Sequence, residues 1–478
     1  MQLPSIKRFS VLVVLLGVSG LFVPLAPAHA VHQCGAQHSG YGGGYDDDND
    51  DDRYYHHHYH SNGCSKVKVT DFLDGDARID APELAQRGDY TVGVRTLRVV
   101  NRNEIDILNW SAENPNPVYN RRLKLEVWYP ARLYYRDREL TTYKDVLGSG
   151  PGDPDRPLRP FEFAGKAARG AMPNLDGGPY PLVIVSHGYP GSRVLMTYLT
   201  ENLASKGYVV VAIDHTESTH ADKAGFSSTL LNRTLDINFV LRKMARKSNR
   251  GRGFLSGIVD ADRTTVVGYS MGGYGALNAA GAGYSPIVVN FVPGGHLARL
   301  QEDTAAYAEE LDPRIRAMVA FAPWGGAFGV WTPTALAGID IPSLFIVGKQ
   351  DQTSGYAAVR GLFNGAVNSD RYLLAYESAI HEIAPNPAPP LAEQHYREYI
   401  HYQEPAWDNR RLNNINQHFI TAFLGVHIKG DFTKYQPYLD LVQFSNDSNR
   451  TDESDPSYWK GFPNYSAIGM ELEHLPPQ

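Results

Sequence analysis

The spacing of apolar residues separates the chain into alternating and continuous hydrophobic segments. Over residues 90–100, apolar and polar positions alternate and β-branched side chains are frequent, which predicts a strand. Residues 123–129 (Leu-Lys-Leu-Glu-Val-Trp-Tyr) alternate in the same way. Residues 180–186, 208–213 and 264–268 do not alternate. They are short and apolar throughout, the pattern of strands covered on both faces. Residues 317–322, 343–347 and 372–376 predict later strands. Helical spacing falls between these runs, over residues 195–206 and 229–247. In the second of these, Leu230, Leu231, Leu235, Ile237, Phe239, Val240, Leu241 and Met244 supply the apolar side. A Gly/Pro-rich loop covers residues 148–160. Strands alternating with helices predict an α/β fold with a doubly wound, mostly parallel sheet.

The globular pattern begins near Lys66 and is expected to form one domain to residue 478. A helical insertion is expected at about 284–312 and a C-terminal extension at about 392–478, whose helix at 408–423 would pack back on the sheet. The first thirty residues differ. Lys7 and Arg8 precede an apolar run from Phe9 to Leu25, and Ala28-His29-Ala30 has the small-x-small form of a signal peptidase site. Gly17, Gly20 and Pro24 interrupt the run, which favours a cleaved signal peptide over a membrane anchor. Residues 31–65 are rich in Gly, Asp, His and Tyr, including an acidic run over 46–52 and His56-His57-His58. Such a segment cannot bury an apolar face and is expected to be a disordered spacer. Its Asp and His side chains can also hold a divalent metal weakly, the less favoured reading.

Composition narrows the function. The 478 residues carry a formal net charge of −7, and no basic stretch dominates, which argues against a nucleic-acid partner. No run after the signal segment is long and apolar enough to span a bilayer. A secreted or periplasmic location follows from the signal. The two cysteines, Cys34 and Cys64, both lie in the spacer, where export permits a disulfide between them.

Gly268-Tyr269-Ser270-Met271-Gly272 is a G-x-S-x-G motif. The pattern alone is common. Here an apolar strand, Thr264-Thr-Val-Val267, runs into it, and a small-residue helix, Gly275-Ala-Leu-Asn-Ala-Ala280, follows. Strand, sharp turn and helix together lift a serine hydroxyl off the end of a sheet. Ser270 is therefore the candidate nucleophile. The oxyanion of acyl transfer needs two N–H donors. Met271 would supply one, and Tyr189, in the loop Ser186-His-Gly-Tyr-Pro-Gly-Ser192, the other. His187 is read as shaping that loop. A serine needs a general base, and the chain order for this geometry is Ser, acid, His. His381 sits just past the last of these predicted strands, whereas His296 and His418 lie in or near helical segments. Asp351 follows the buried run 343–347 and is the candidate orienting acid. Asp340 precedes that run, at the wrong end of the sheet, and Glu377 is too close in sequence to His381.

These motifs resemble known families. The 90–129 block, the loop Ser186–Arg193, Gly268–Gly273 and Glu404-Pro-Ala-Trp-Asp-Asn-Arg-Arg-Leu-Asn-Asn-Ile-Asn-Gln-His418 are similar to bacterial predicted dienelactone hydrolases. Those are relatives of the plasma-type platelet-activating factor acetylhydrolases, and the likeness runs from about Tyr90 onward. It implies the α/β-hydrolase fold. Two positions depart from it. True dienelactone hydrolase has a Cys nucleophile where this chain has Ser270, and the acetylhydrolases place their acid after an earlier strand. The matching stretch, Val319-Ala-Phe-Ala-Pro-Trp324, contains no acid. The second half is also similar to cutinase-like polyester hydrolases, through Ala322-Pro-Trp324, Val347-Gly-Lys-Gln-Asp351 and Ser378-Ala-Ile-His-Glu-Ile-Ala-Pro385. That likeness implies that Tyr189 and Trp324 line a substrate pocket beside Met271; core packing is the other reading of Trp324.

The expected activity is cofactor-free hydrolysis of a carboxylic ester through an acyl-serine, with a small-molecule, lipid or polyester substrate. A lipase or acetylhydrolase would use the same machinery. A non-catalytic surface binding protein of the same fold is the competing class.

Overall fold

The continuous apolar runs form the centre of an 11-stranded sheet. The computed structural model describes residues 73–478 except Arg136. The expected signal peptide, the 31–65 spacer, Cys34 and Cys64 lie outside the described residues. The first half of the chain supplies β1 (Thr91–Ile105), β2 (Val118–Arg132), β3 (Thr141–Leu147), β4 (Arg159–Gly165), β5 (Ala168–Arg169), β6 (Met172–Pro173), β7 (Tyr180–Ser186) and β8 (Val209–Asp214). The second half supplies β9 (Val259–Tyr269), β10 (Ile315–Phe321), β11 (Ser343–Gly348), β12 (Arg371–Tyr376) and β13 (Met470–Leu475). The order is β13-β12-β11-β10-β9-β7-β8-β2-β1-β5, with β6 beside β2. From β8 to β12 all neighbours are parallel. β1 and β2 form an antiparallel pair joined to β8, and β13 is antiparallel to β12.

Alternate side chains of the central strands enter opposite cores, which explains why these runs are apolar at every position. In β7, Leu182 and Ile184 face one core while Val183 and Val185 face the other. The first core is covered by α2 (Phe226–Asn249) and α3 (Met271–Ala279), through residues such as Leu235, Ile237, Leu241 and Leu277. The second is covered by α1 (Thr197–Ser205) and by the tail helix Asn409–His427, through Leu199, Leu203, Phe419 and Phe423. This is a doubly wound α/β sheet.

Three elements differ from the sequence expectation. The 284–312 stretch is mainly 3₁₀ turns, Pro286–Phe291 and Pro293–Leu300, with one short α-helix, Ala305–Glu310. Its prolines, together with Gly294 and Gly295 at φ of 70° and 68°, stop a regular helix from propagating. The expected 148–160 loop gives only residues 159–160 to β4, and it joins β3 to β4 in a separate hairpin that the spacing did not predict. The tail contributes a sheet strand, β13, as well as its helix.

The parallel strands all point their carboxyl ends the same way. The ends of β7, β8, β9, β10, β11 and β12 therefore bring Ser186, His215, Ser270, Trp324, Asp351 and His381 to one edge of the sheet. That edge is where open α/β sheets place their sites.

Candidate active site

Ser270 occupies the turn between β9 and α3. Its backbone is at φ 54° and ψ −112°. A non-glycine residue there is strained by roughly 1–3 kcal/mol, so the surroundings must hold it. Its N–H donates to the Phe321 carbonyl (2.9 Å), and its carbonyl accepts from the Trp324 N–H (3.1 Å). The residue is thus stitched to the end of β10 from both sides. A Cβ on Gly268 would lie 2.2 Å from the Gly272 carbonyl oxygen, and one on Gly272 would lie 1.9 Å from the Ser186 carbonyl oxygen. Both positions must be glycine for the turn to close against β7.

His381 and Asp351 meet at this edge. The imidazole Nδ1 lies 2.9 Å from Asp351 Oδ2. The other carboxylate oxygen accepts the N–H groups of Thr353 (2.8 Å) and Ser354 (2.9 Å). Burial alone would raise the Asp351 carboxyl. The hydrogen bond and charge of His381, with those two N–H groups, outweigh it and hold the carboxyl below its ordinary value. The Tyr269 ring, adjacent in sequence to Ser270, lies 5.2 Å from the His381 ring. The imidazole therefore sits beside the Ser270 turn. Burial pushes the neighbouring Glu382 up to about 7, against the charge of His381.

The loop carrying His381 is tied to the tail. Glu404, fully buried, accepts from the Ile380 N–H (2.7 Å) and from the N–H groups of Ala406 and Trp407. Sequence reading did not single out Glu404. A lone acid before Pro405 gives no periodic signal, and only its zero exposure shows its role.

The β7 loop passes on the other side of Ser270. A Cβ on Gly188 would lie 3.5 Å from Ser270 Cβ. Both ring nitrogens of His187 are engaged: Nδ1 lies 2.7 Å from the Gly188 carbonyl, and Nε2 accepts the His215 N–H (3.2 Å). Nδ1 must therefore carry the proton. Burial, then the charges of Arg233 and His215, keep this imidazole neutral. Tyr189 donates its hydroxyl to the Ala224 carbonyl (2.6 Å), and its ring meets Phe226 edge-on at 5.1 Å. Met271 is buried at the start of α3. Trp324 contacts Phe226 at 5.4 Å and stacks on Phe328 at 4.8 Å. Tyr189, Phe226, Trp324 and Phe328 form an aromatic row beside the turn, and Phe328 is 53% exposed. Phe226 and Phe328 went unmarked in the sequence because each falls outside any motif. His296 binds the Pro115 carbonyl near the surface, and His418 accepts the Leu84 N–H in the core. Neither is among the groups around Ser270 described above.

A second Ser-His-Asp constellation lies beneath the β7 loop. Ser186 Oγ is 2.8 Å from His215 Nε2, and His215 Nδ1 is 2.9 Å from Asp236 Oδ2. Two facts separate it from the first. Ser186 is 0% exposed whereas Ser270 is 7% exposed, so Ser270 is the more accessible of the two. Asp236 is also clamped by Arg121 through two hydrogen bonds of 2.8 and 2.9 Å. Burial and the Arg233 charge press His215 down to about 4, so it is a poor base near neutrality.

Buried neutral histidines give the fold an acid sensitivity. His187, His215, His220, His401, His418 and His427 all have lowered values, chiefly through burial. Unfolded histidine titrates near 6.5. Their contribution is complete above that value and is lost as pH falls from 6.5 through about 4, where His215, His220 and His427 titrate. Asp74, Glu104, Asp145, Glu201 and Glu382, raised by burial, act in the opposite direction, but they are five against six. The melting temperature is expected to fall between pH 6.5 and 4 in scanning calorimetry. An unchanged melting temperature over that range would contradict this.

The sheet order and the strained serine turn at the strand ends make an α/β-hydrolase-like fold. The family-model and cutinase comparisons agree with that fold. Residues 169–291 match the PET hydrolase-like (PETase) family model. That stretch holds the β7 loop and Ser270–Met271 and stops before Asp351 and His381. The chain is 36% identical to cutinase est1 of Thermobifida alba over 105 residues, 22% of this chain and 32% of the cutinase. It is 33% identical to cutinase 2 of Thermobifida cellulosilytica over 105 residues, 22% of this chain and 36% of the cutinase. The match thus spans about a third of the length of these relatives. A ferulic acid esterase structure from Streptomyces cinnamoneus aligns over 73% of this chain and 94% of its own, with 21% identity and a TM-score of 0.48. Among the described residues, no helix is long and apolar enough to cross a membrane.

Proposed function

We propose that the protein is an exported serine hydrolase that cleaves carboxylic esters through an acyl-Ser270 intermediate. The observation that carries the reading is the 2.9 Å His381–Asp351 bond beside the strained Ser270 turn. His381 takes the Ser270 proton as Oγ attacks the ester carbonyl. It then protonates the departing alcohol, and finally activates the water that releases the acid. Asp351 holds Nδ1 protonated, so that Nε2 is the basic nitrogen, and stabilises the imidazolium. The N–H groups of Tyr189 and Met271 receive the oxyanion, each donor typically lowering the barrier by about 3–4 kcal/mol. This cycle needs no metal or cofactor.

The row Tyr189–Phe226–Trp324–Phe328 offers a substrate an apolar, partly exposed wall. It supports an aromatic or aliphatic polyester-like ester, in line with the cutinase and PET hydrolase-like likenesses. Export to the periplasm or medium rests on the first thirty residues.

The test is covalent. A p-nitrophenyl alkylphosphonate is expected to add once per chain, on the peptide containing Ser270, with loss of activity toward p-nitrophenyl esters. A chain-length series of those esters separates a short-acyl or polyester preference from a lipase-like one. Absence of both adduct and turnover would support the non-catalytic binding alternative.

A further inference from the structure

We infer that Arg233 is a positioning residue for the oxyanion site, fixing the direction of the Tyr189 N–H through the peptide plane it shares with the Gly188 carbonyl. The inference rests on the proposed ester hydrolysis and adds a residue that lies off every motif in the chain.

Arg233 projects from α2 under the β7 loop and is 1% exposed. Its Nη2 donates to the Gly188 carbonyl at 2.7 Å, and its Nη1 donates to the preceding carbonyl, that of His187. The rigid fork thus grips two successive peptide groups. His187 Nδ1 reaches the same Gly188 oxygen at 2.7 Å. In a trans peptide the carbonyl and the following N–H point in opposite directions. The Gly188–Tyr189 bond is not among the cis bonds of the chain. Holding the Gly188 oxygen toward Arg233 therefore turns the Tyr189 N–H away from it. The backbone of Gly188 passes Ser270, as its Cβ position 3.5 Å from Ser270 Cβ shows. A cation on the carbonyl also polarises the amide and strengthens its N–H as a donor to a developing oxyanion.

The cost of this placement argues for a role beyond packing. Among the described residues Arg233 makes no ion pair, and its partners are carbonyls and the hydroxyls of Ser218 and Ser186. Its Nε is buried without a protein partner. Burial lowers this guanidinium to about 9 despite the nearby Asp236 charge. A buried cation without a direct counter-ion is a poor stability device. The surroundings are nevertheless shaped around it. Asp236 sits one turn along α2, Ser186 and His215 anchor the loop base, and a Cβ on Gly275 of α3 would lie 2.9 Å from Arg233 Cβ.

The experiment compares wild type, Arg233→Met, Arg233→Lys and Ser218→Ala on p-nitrophenyl acetate, with binding of phenylboronic acid as the tetrahedral mimic. Arg233→Met is expected to lower kcat by about 10²-fold, as for loss of one oxyanion donor, with KM nearly unchanged. Boronate affinity is expected to fall alongside kcat. Arg233→Lys should recover part of the loss, because one ammonium can hold only one of the two carbonyls well. Ser218→Ala removes an anchor of the guanidinium and leaves Arg233 in place. It should lower kcat severalfold at constant KM, which keeps the test decisive if Arg233→Met does not fold. Wild-type kcat and boronate binding in folded Arg233→Met, or in Ser218→Ala if the former does not fold, would overturn the inference while leaving the hydrolase reading intact. A wild-type protein that neither turns over the ester nor takes the phosphonate would overturn both.

Discussion

Ser270→Ala is expected to lower kcat on p-nitrophenyl esters by about 10⁵–10⁶-fold, the scale for loss of a serine nucleophile. The fold should survive, because alanine at φ 54° faces the same strain and the stitches to β10 use only backbone atoms. The companion variant, Ser186→Ala, makes the result discriminating. It removes the hydroxyl that donates to His215 Nε2 and leaves a buried acceptor unpaired, at roughly 1–3 kcal/mol of stability. Its kcat should fall far less than that of Ser270→Ala. Two constellations with the same three residue types occur in one chain, and the assay chooses between them. If Ser186→Ala abolished turnover and Ser270→Ala did not, the assignment would be reversed.

The second large effect is at the acid. Asp351→Asn should lower kcat about 10⁴-fold at neutral pH with little change in KM. An amide can turn its NH₂ toward Nδ1 and so stabilise the wrong tautomer of His381, and it brings no charge to balance the imidazolium. The Asp351 carboxyl is depressed in the folded protein, so the interaction is complete above the unfolded carboxylate range near 3.9 and is lost as pH falls through the folded value. The acid limb of the rate profile should therefore not arise from Asp351. Steady-state kinetics from pH 5 to 9 check both statements. A variant within tenfold of wild type would rule out Asp351 as the orienting acid.

The parts of this site legible in the sequence are those announced by local spacing. The turn at Ser270 is a strand, a glycine-rich corner and a helix within about fifteen consecutive positions. Asp351 and His381 each follow a short apolar run, and a run buried on both faces has only one place to end. The remaining parts depend on distant pairings. Arg233 reaches Ser186 across 47 residues and the Gly188 carbonyl across 45. In the sequence it is one basic residue of a long helix, and its spacing to Ile237, Val240 and Met244 (i+4, i+7, i+11) puts it on the apolar side. Its partners follow only when α2 lies across the end of β7. Glu404 and β13 were hidden for a related reason: the tail must fold back over the sheet before either has a partner. The short turns of 284–312 follow from Pro286, Pro293, Gly294 and Gly295, whose backbone limits outweigh the apolar content of that stretch.

The antiparallel strand β13 also bears on how the protein can be handled. It lies against the outer side of β12, the strand that leads to His381, and pairs with it from Arg371 to Tyr376. Glu471 on it accepts from Lys349 at 2.8 Å, beside the turn into Asp351. Removing residues from Met470 onward would be more than trimming a tail. It would turn an apolar interior strand into an open adhesive edge, and the expected product is a self-associating protein whose base-bearing loop has lost its outer support.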